Sequence, residues 1–461
     1  MRDFLPDEVR RREYVIRVIA ETYERYGFEP LETPAVEDLE TLLGKYGEEG
    51  NQLIFKILKR GEHEASGQAD LALRYDLTVP LARVVAEYRA KLPKFFKRYQ
   101  IQPVWRADRP ARGRFREFYQ CDVDALGSRS MAIETELCAA VSETLSALGF
   151  ADFVIRLNHR QVLTAVLDQA GLSSEKHGTA LVALDKLDKI GAEGVARELS
   201  TRGVEAEAAE KFLRFFQSVT DPPVKGADAE QQRAANDSVL AKLESFLGAP
   251  AASDERAQHP GGPGIDELRD ILRLAEVTPA AGRIRLDPAL ARGLSYYTGA
   301  IMEVAVPDLA GSLGGGGRYD NLVGMFLGED VPACGFSLGL ERIIVVMTER
   351  NMFPSSVGST ACDVMITQWN AAALPDALTL ARELRGAGYR VDVYPEADKL
   401  DKQLRYASGR GVPLVAIVGD DERARGEVTI RDLRKRTQEA VKRDAVIAHV
   451  SALREVPPAI D

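Results

Sequence analysis

The clearest hydrophobic pattern in the chain is an alternation of bulky and polar residues in two neighbouring stretches. KFFKRYQIQPVWRAD begins at Lys94, and FREFYQCDVDALG begins at Phe115. Alternation with a period of two is typical of a half-buried β-strand. The segment DRPARGR between the stretches carries the Pro and Gly of an exposed loop. The pattern therefore predicts a long antiparallel hairpin with an arginine-rich tip.

Helical spacing of apolar residues predicts helices in two other regions. Residues 7–26 show this spacing after Pro6, and GFEPLETPAVE then predicts a turn, a short strand and an end at Pro34. From about Gly171 to Ala280 the sequence is rich in alanine and charge, with a Gly/Pro/Ala/Ser linker at 248–264. Strand-like, glycine-rich sequence resumes at Arg283, so we expect the helical region to be an insertion.

After Met352 the pattern alternates between short apolar strands and helices. ACDVMITQ, LPDALTLARELRGAGYRVDVYPE and LDKQLRYASGRGVPLVAIVGDDE follow one another. This order predicts a small parallel or mixed sheet covered by helices, with its own core. Because 461 residues exceed what one core usually organises, we expect two or three domains.

Composition excludes several classes of protein. No run of about 18 uncharged apolar residues occurs, and the N-terminus is charged from its second residue, so we expect a cytoplasmic protein without a membrane span or secretory signal. Four cysteines lie too far apart for a CxxC pair and are interpreted as buried thiols. The five histidines fall in no matching motif and are expected to have surface or packing roles. No protein-ligated metal is expected.

The net charge of −10 conceals a basic stretch. From Lys91 to Gln120 nine Lys or Arg stand against two acidic residues. A charge run is commonly a solvated face. Here it coincides with the predicted hairpin, and arginines on facing strands suit a polyphosphate because a guanidinium can bind phosphate oxygens bidentately.

Three further motifs carry polar chemistry. LARGLSYYTGA places Arg292 five residues before Tyr297, between glycines. GSLGGGGRYDNLVGMF has four consecutive glycines before Arg318 and Tyr319, which allow a close approach of backbone to a ligand or a strand. PACGFSLGLERIIVVM predicts a strand, a turn and an apolar helix with Arg342 near its start.

Taken in order, the first helix and strand, WRADRPARGRFREFYQ, LARGLSYYTG with GGGGRYDNL, and GFSLGLER resemble the histidyl-tRNA synthetase family of class II aminoacyl-tRNA synthetases. RGLxYYTG is the most specific of these blocks. The resemblance implies an α+β fold with an antiparallel-sheet catalytic domain, a helical insertion and a C-terminal α/β anticodon-binding domain. By this resemblance the catalytic domain occupies residues 1–168 and 282–352, the insertion 169–281 and the anticodon-binding domain 361–461.

The resemblance also implies substrates and partners. These are histidine, ATP complexed with Mg²⁺ and tRNA(His), in a homodimer whose interface includes the first block. The insertion is expected to approach the acceptor arm of the tRNA. The C-terminal domain is expected to bind its anticodon.

Site residues follow from the same resemblance, position by position. Those implied for ATP are Arg106 at the α-phosphate, Arg114 in the ATP-binding loop, Phe118 on adenine and Arg342 at the terminal phosphate. Those implied for histidine are Asp76, Thr78 and Gln120 around the α-amino group, Asp124 and Tyr297 at the imidazole, and Tyr319 closing the pocket. Arg292 is implied beside both the α-phosphate and the histidine carboxylate, with Arg106 as its catalytic partner.

Two details qualify these implications. Ser295 stands where the family often has aspartate, so charge pairing by that side chain is not expected. Tyr296 and Tyr297 are expected to point to opposite faces of a strand, with Tyr296 mainly packing.

Two other function classes remain open. One is the histidine-binding regulatory subunit of ATP phosphoribosyltransferase, whose relatives usually lack the anticodon domain and the ATP-binding arginines. The other is a non-catalytic RNA-binding or stress-sensing module attached to a kinase, although no kinase sequence is present.

Overall fold

The chain forms two compact units. The computed structural model describes residues 1–61, 66–184, 187–219, 228–248, 261–291, 296–355, 357 and 362–455. The first unit comprises Met1–Asp3 and Arg12–Phe353, and the second comprises Phe4–Arg11 and Pro354–Asp461. In the described residues no helix combines the length and the apolar character that crossing a bilayer requires.

An eight-stranded sheet dominates the first unit. The strands of this unit are β1 (Glu29–Pro30), β2 (Val36–Asp38), β3 (Lys56–Leu58), β4 (Ala69–Leu73), β5 (Phe96–Trp105), β6 (Glu117–Leu126), β7 (Val154–His159), β8 (Ile284–Leu286), β9 (Ala300–Ala305), β10 (Gly314–Arg318) and β11 (Ala333–Gly339). The large sheet has the order β1-β5-β6-β11-β10-β9-β7-β8, while β2, β4 and β3 form a small separate sheet. Within the large sheet only the outer pairs β1–β5 and β7–β8 are parallel. The predicted antiparallel sheet is confirmed.

The predicted hairpin is formed by β5 and β6. Ten pairs of residues face one another along it, from Phe96 opposite Leu126 to Trp105 opposite Glu117. Alternation along β6 places Cys121, Val123 and Ala125 in the apolar core, so the residues between them belong to the other face of the sheet. One face is therefore apolar and the other polar.

Helices cover the apolar face. Helix α1 (Pro6–Arg25) belongs to the first unit from Arg12 onward. The other helices of the first unit are α2 (Leu39–Leu42), α3 (Gly47–Gln52), α4 (Thr78–Tyr88), α5 (Ala132–Ala147), α6 (Arg160–Ala170), α7 (Ser174–Leu184), α8 (Leu187–Thr201), α9 (Ala206–Val219), α10 (Ala229–Leu247), α11 (Gly262–Ala275), α12 (Gly324–Leu327) and α13 (Leu340–Glu349). Ile19 of α1, Val141 of α5 and Ile343 of α13 share one buried cluster with the apolar residues of β6. The predicted first helix is confirmed by α1.

Helices α6 to α11 follow one another between β7 and β8. This arrangement is the helical insertion that the sequence predicts, although its boundaries at 169 and 281 stay predictions. Of the predicted linker, residues 249–260 lie outside the described residues. The last residues of the predicted linker are not a linker in the structure, because they form the start of α11 at Gly262.

The second unit contains a five-stranded mixed sheet. Its elements are β12 (Val364–Ile366), α14 (Leu374–Gly386), β13 (Val391–Val393), α15 (Leu400–Gly409), β14 (Leu414–Ile417), α16 (Asp420–Arg425), β15 (Glu427–Asp432), β16 (Thr437–Lys442) and α17 (Val446–Glu455). The order is β13-β12-β14-β15-β16, in which β12 runs parallel to both neighbours and β15 antiparallel to both of its own. The predicted small mixed sheet is confirmed. All four cysteines are buried thiols, as expected.

Candidate active site

The polar face of the large sheet carries a row of buried polar side chains on β6. Gln120, Asp122 and Asp124 alternate with the core residues and are each less than a tenth exposed. Arg98 lies opposite Asp124 on β5, and Gly335 lies opposite it on β11. A Cβ atom at position 335 would stand 1.9 Å from Asp124 Oδ1, so only glycine leaves room for this carboxylate.

Asp124 is held from two directions. The hydroxyl of Tyr319, just after β10, donates a hydrogen bond to Asp124 Oδ1. Arg98 Nη2 lies 2.8 Å from Asp124 Oδ2, an ion-pair distance, and the guanidinium is completely buried. Burial raises the pKa of Asp124, while Arg98 and Tyr319 act in the opposite direction. Oδ2 is buried, and no described residue donates a well-aligned hydrogen bond to it, so one of its acceptor positions is unused.

Asp76 forms a second buried carboxylate between β4 and α4. Its Oδ1 accepts hydrogen bonds from the Tyr46 hydroxyl at 2.9 Å and from the backbone N–H of Val79 at 3.1 Å. The Tyr296 hydroxyl lies 3.5 Å from its Oδ2 and also contacts the side chain of Thr78. Burial raises the pKa of Asp76 despite these contacts. The first turn of α4 and the segment before β9 therefore meet at this carboxylate.

The expectation that Tyr296 and Tyr297 alternate along a strand is wrong. Both precede β9, which begins at Ala300, and their rings pack edge to face at 5.3 Å. Because they lie outside the strand pairing, their side chains need not alternate. Tyr296 makes the polar contacts described above, so it does more than pack. The Tyr297 ring lies so close to β10 that a Cβ at Gly317 would stand 3.1 Å from it.

Arg106 connects the side chains on β6 to the segment before α4. It follows β5, and its guanidinium lies over the rings of Tyr75 at 4.3 Å and Phe118 at 5.2 Å. Its Nη2 donates to Gln120 Oε1 at 3.2 Å. Gln120 Nε2 in turn donates to Asp122 Oδ1 at 3.3 Å. The structure thus brings Arg106, Phe118 and Gln120 together.

Arg342 and Arg114 meet the hairpin tip separately. Arg342 lies in the first turn of α13, as predicted, and donates from Nε to the Gly113 carbonyl at 3.2 Å and from Nη1 to the Ser312 carbonyl at 2.5 Å. Arg114 pairs with Asp108 at 2.6 Å and remains half exposed. Both arginines are therefore beside the loop that joins the two hairpin strands.

Arg292 and Ser295 lie outside the described residues, together with Gly293 and Leu294. The chain on each side of them is anchored. Asn158 Nδ2 donates to the carbonyls of Pro288 at 2.9 Å and Leu290 at 3.0 Å. On the far side, the backbone N–H of Thr298 donates to the Arg318 carbonyl at 2.8 Å.

The basic stretch from Lys91 to Gln120 does not form one phosphate-binding surface. Lys97 pairs with Glu136 at 2.9 Å, whereas Arg98 next to it pairs with Asp124 on the polar face. Arg112 pairs with Glu349 on α13. Alternation sends successive cations of a strand to opposite faces of the sheet, and the binding of a polyphosphate by the hairpin arginines stays a prediction.

A buried ion pair behind the site was missed by the sequence analysis. Arg12 Nη1 of α1 lies 2.7 Å from Glu341 Oε1, and Glu341 Oε2 accepts a hydrogen bond from the backbone N–H of Tyr119 at 2.9 Å. Glu341 precedes Arg342, and Tyr119 follows Phe118. The only sequence signal was an acidic residue in an otherwise apolar helix start.

Comparison with known proteins gives one consistent family. The model of the histidyl-tRNA synthetase family matches residues 1–343, and that of the anticodon binding domain matches residues 362–453. A histidine–tRNA ligase from Gloeobacter violaceus is 42% identical over 466 residues, covering 95% of each chain. A crystal structure of histidyl-tRNA synthetase from Nostoc sp. PCC 7120 has 31% identity and a TM-score of 0.78, covering 98% of this chain and 97% of that one.

A second solved structure bears on the alternative function. It is a protein from Bacillus halodurans described as an ATP phosphoribosyltransferase regulatory subunit/histidyl-tRNA synthetase, with a TM-score of 0.71 over 91% of this chain and 97% of that one. At 20% identity this likeness shows the fold alone. The family model and the full-length relative decide the assignment: the chain belongs to the histidyl-tRNA synthetase family.

Proposed function

We propose that the polar face of the large sheet is where this chain activates histidine with ATP and passes it to the 3′ end of tRNA(His). Family membership makes the chain an aminoacyl-tRNA synthetase, a ligase of protein biosynthesis. The observation that supports this location is the adjacency of the buried carboxylate Asp124 to the arginine-bearing end of the hairpin through Asp122, Gln120 and Arg106. The carboxylates, which suit a cationic group, and the arginines, which suit a phosphate, are therefore neighbours on the same face of the sheet.

The amino-acid subsite lies around Asp124, Tyr297 and Tyr319. The imidazole of histidine carries two ring nitrogens at a fixed separation, and Asp124 Oδ2 can accept a hydrogen bond from one of them. The Tyr297 hydroxyl bonds the other. A side chain without both nitrogens leaves these buried groups unpaired, which gives strong discrimination.

The α-amino group of histidine binds beside Asp76, Thr78 and Gln120. Asp76 is the carboxylate among these three residues. Burial raises the pKa of Asp76 because it disfavours the charged form, so the ammonium of an incoming histidine is a favourable partner. Gln120 Oε1, already an acceptor for Arg106, has a second lone pair for the ammonium. The substrate is thereby aligned with its carboxylate toward Arg106.

ATP, as its Mg²⁺ complex, binds along the hairpin. The adenine ring stacks on Phe118, and the phosphates meet Arg106, Arg114 and Arg342. Guanidinium groups suit this role because they stay charged and can bind phosphate oxygens bidentately. Mg²⁺ enters as part of the substrate and is expected mainly along the pyrophosphate.

The reaction joins two anions, so charge neutralisation and alignment supply most of the catalysis. The histidine carboxylate attacks the α-phosphorus, the bond to the pyrophosphate breaks and pyrophosphate leaves. Arg106 and Arg292 neutralise the negative charge that develops at phosphorus. The 3′ end of the tRNA then attacks the carbonyl of the adenylate, and AMP leaves.

The remaining partners follow the same proposal. The second unit, which carries the anticodon binding domain, contacts the anticodon, and the helical insertion approaches the acceptor arm. The protein works as a cytoplasmic homodimer through the region of α1 and β1. The regulatory-subunit alternative is less supported, because this chain keeps both the hairpin arginines and the anticodon domain.

The direct test is aminoacylation. The chain is incubated with ATP, Mg²⁺, tRNA(His) and labelled histidine, and label attached to tRNA is measured. We expect charging that requires ATP and is specific for histidine. Tight histidine binding without any charging would instead support the regulatory-subunit function, and tRNA binding without histidine binding would support a non-catalytic RNA-binding module.

A further inference from the structure

Asp122 is a buried carboxylate in the pocket to which the family resemblance gives no role. It lies on β6 between Gln120 and Asp124, on the same face, and is 2% exposed. Its Oδ1 accepts from Gln120 Nε2 at 3.3 Å, and its Oδ2 lies 3.9 Å from Arg98 Nη2. Ser337, opposite it on β11, also hydrogen-bonds its side chain.

The buried charges around Asp122 do not balance. Asp76, Asp122 and Asp124 are all at most 2% exposed, and among the described residues Arg98 is the buried guanidinium at ion-pair distance from two of them. Arg74 is buried as well, but it donates to the carbonyls of Thr33 and Pro103, acts on Asp122 without an ion-pair contact, and is compensated by Glu37. Arg106 acts on Asp76 from a partly exposed position but is assigned to the phosphate. The α-ammonium of histidine compensates one carboxylate and Arg98 compensates a second, so one negative charge is left. An uncompensated buried charge is costly.

We propose that the amino-acid subsite binds histidine in its imidazolium form, and that Asp122 supplies the negative charge that this form requires. The inference rests on the proposed function, since it concerns the protonation state of the same substrate in the same pocket. With an imidazolium, three carboxylates face an ammonium, an imidazolium and Arg98, and the cluster is neutral. Asp124 contacts the ring. Asp122 does not contact it but stabilises its positive charge through the electrostatic field that the two carboxylates produce together.

Side chains from several elements act on Asp122. They are Arg98 of β5, Cys121 and Asp124 of β6, Arg74 and Asp76 before α4, Tyr296 and Tyr297 before β9, and Tyr23 of α1. Burial raises the pKa of the tyrosines and of Cys121, so these groups stay protonated between pH 7 and 8. Burial likewise raises the pKa of Asp122 to about 7, against the pull of Arg98. In the ligand-free pocket a proton on Asp122 therefore relieves the excess charge near neutral pH.

This arrangement gives histidine binding a definite proton balance. Above about pH 7 free histidine, with an ordinary imidazole pKa of about 6.5, and Asp122 are both deprotonated, so formation of the imidazolium complex takes up one proton. The dissociation constant should then rise about fourfold between pH 7 and 8, since Asp122 is still half protonated at pH 7. Neutral imidazole binding predicts almost no change.

Calorimetric titration of the full chain with histidine, in two buffers of different ionisation enthalpy, measures the proton uptake. For the native protein we expect close to one proton per histidine at pH 8. For Asp122→Asn we expect little uptake and less than about twofold change in the dissociation constant between pH 7 and 8. Asp432→Asn, the same change at an equally buried aspartate of the second unit, should keep the native behaviour.

A second arm needs no variant and decides the question even if Asp122→Asn fails to fold. 2-Fluorohistidine has nearly the shape of histidine, but its ring resists protonation because fluorine withdraws electrons. The native protein should bind it at least about tenfold more weakly than histidine at pH 7 and without proton uptake. Equal affinity for both ligands, no uptake by the native protein, or unchanged uptake by Asp122→Asn would each overturn the inference. Histidine-dependent adenylate formation, measured alongside, tests the proposed function separately.

Discussion

The hydroxyl of Tyr319 donates a hydrogen bond to Asp124 Oδ1, although 195 residues separate the two in sequence. Arg98 lies at ion-pair distance from the other oxygen of the same carboxylate. The carboxylate is therefore fixed in orientation before any substrate arrives. Such preorganisation allows a buried polar group to discriminate between ligands, because an ill-fitting ligand leaves it unpaired.

Tyr297→Phe tests the proposed hydrogen bond between Tyr297 and the imidazole of histidine. The variant removes one hydroxyl and little volume from a ring that is already packed against Tyr296 and β10. Loss of a hydrogen bond to the ring should weaken histidine binding by about 1 to 3 kcal/mol and barely change ATP affinity. Separate titrations with histidine and ATP measure this. Equal losses for both ligands would indicate that Tyr297 only packs.

Glu341→Gln tests whether the buried pair of Arg12 and Glu341 positions the residues that are proposed to bind ATP. The change removes the ionic partner of Arg12 and weakens the tie to β6 beside Phe118. We expect a lower melting temperature and a KM for ATP raised about 3- to 10-fold, with the KM for histidine unchanged. Glu349→Gln is the control, because it breaks a half-exposed pair with Arg112 on the same helix and should do little. A lowered melting temperature with a normal KM for ATP would show that the pair is purely structural.

Asp122→Asn should stabilise the ligand-free protein at alkaline pH. Burial raises the pKa of Asp122 to about 7, from about 3.9 in an unfolded chain. A raised carboxyl pKa means that the folded state loses stability as the pH rises from about 4 to about 7, and the loss is complete above that. The asparagine variant escapes this loss. Its gain in unfolding free energy over the native protein should be larger at pH 8 than at pH 5 by about 1 to 3 kcal/mol.

Asp432→Asn provides the opposite comparison in denaturant unfolding. Although burial acts to raise it, hydrogen bonds from Arg434 lower the pKa of Asp432 below its usual value. Its stabilising contribution is therefore already complete at pH 5 and does not change up to pH 8. The difference between Asp432→Asn and the native protein should stay constant across this window. A constant difference for Asp122→Asn as well would contradict the raised pKa.

Arg292→Lys tests the arginine that the resemblance places between carboxylate and phosphate. Lysine keeps the charge but loses the planar fork that can bridge two oxygens. If the bridge forms mainly in the transition state, the single-turnover rate of adenylate formation should fall about 10²-fold or more, with much smaller changes in histidine and ATP binding. A melting curve of the same variant is the control. A near-normal rate with a lowered melting temperature would assign Arg292 a structural role.

Local patterns predicted the elements that position the site, but not the pairing of its charges. Alternation in KFFKRYQIQPVWRAD and FREFYQCDVDALG predicted β5 and β6, and helical spacing predicted α1. The same alternation places Asp122 on the face of Asp124, yet nothing local shows that Arg98 is buried between them. Whether a cation faces solvent or a buried carboxylate depends on which strand and loop lie opposite, and that is a long-range property.

The tyrosine pair illustrates a second limit. Tyr296 and Tyr297 were expected to lie on a strand and to point to its opposite faces, but β9 starts three residues later, at Ala300. The end of strand β9 is set by the residue at which its backbone pairing with β10 stops, and the local sequence does not reveal that residue. The contact of Tyr296 with Asp76 was missed because 220 residues separate them in the sequence and no local pattern links them.

Histidine-dependent exchange of pyrophosphate into ATP, in the absence of tRNA, tests the central claim most directly. The exchange requires histidine, ATP and the adenylate to share one site, and it requires no contact with RNA. We predict exchange with histidine and none with the other amino acids, abolished in a double variant of Asp124 and Arg106. Absence of exchange in a protein that still binds histidine would contradict the account and favour the regulatory-subunit function.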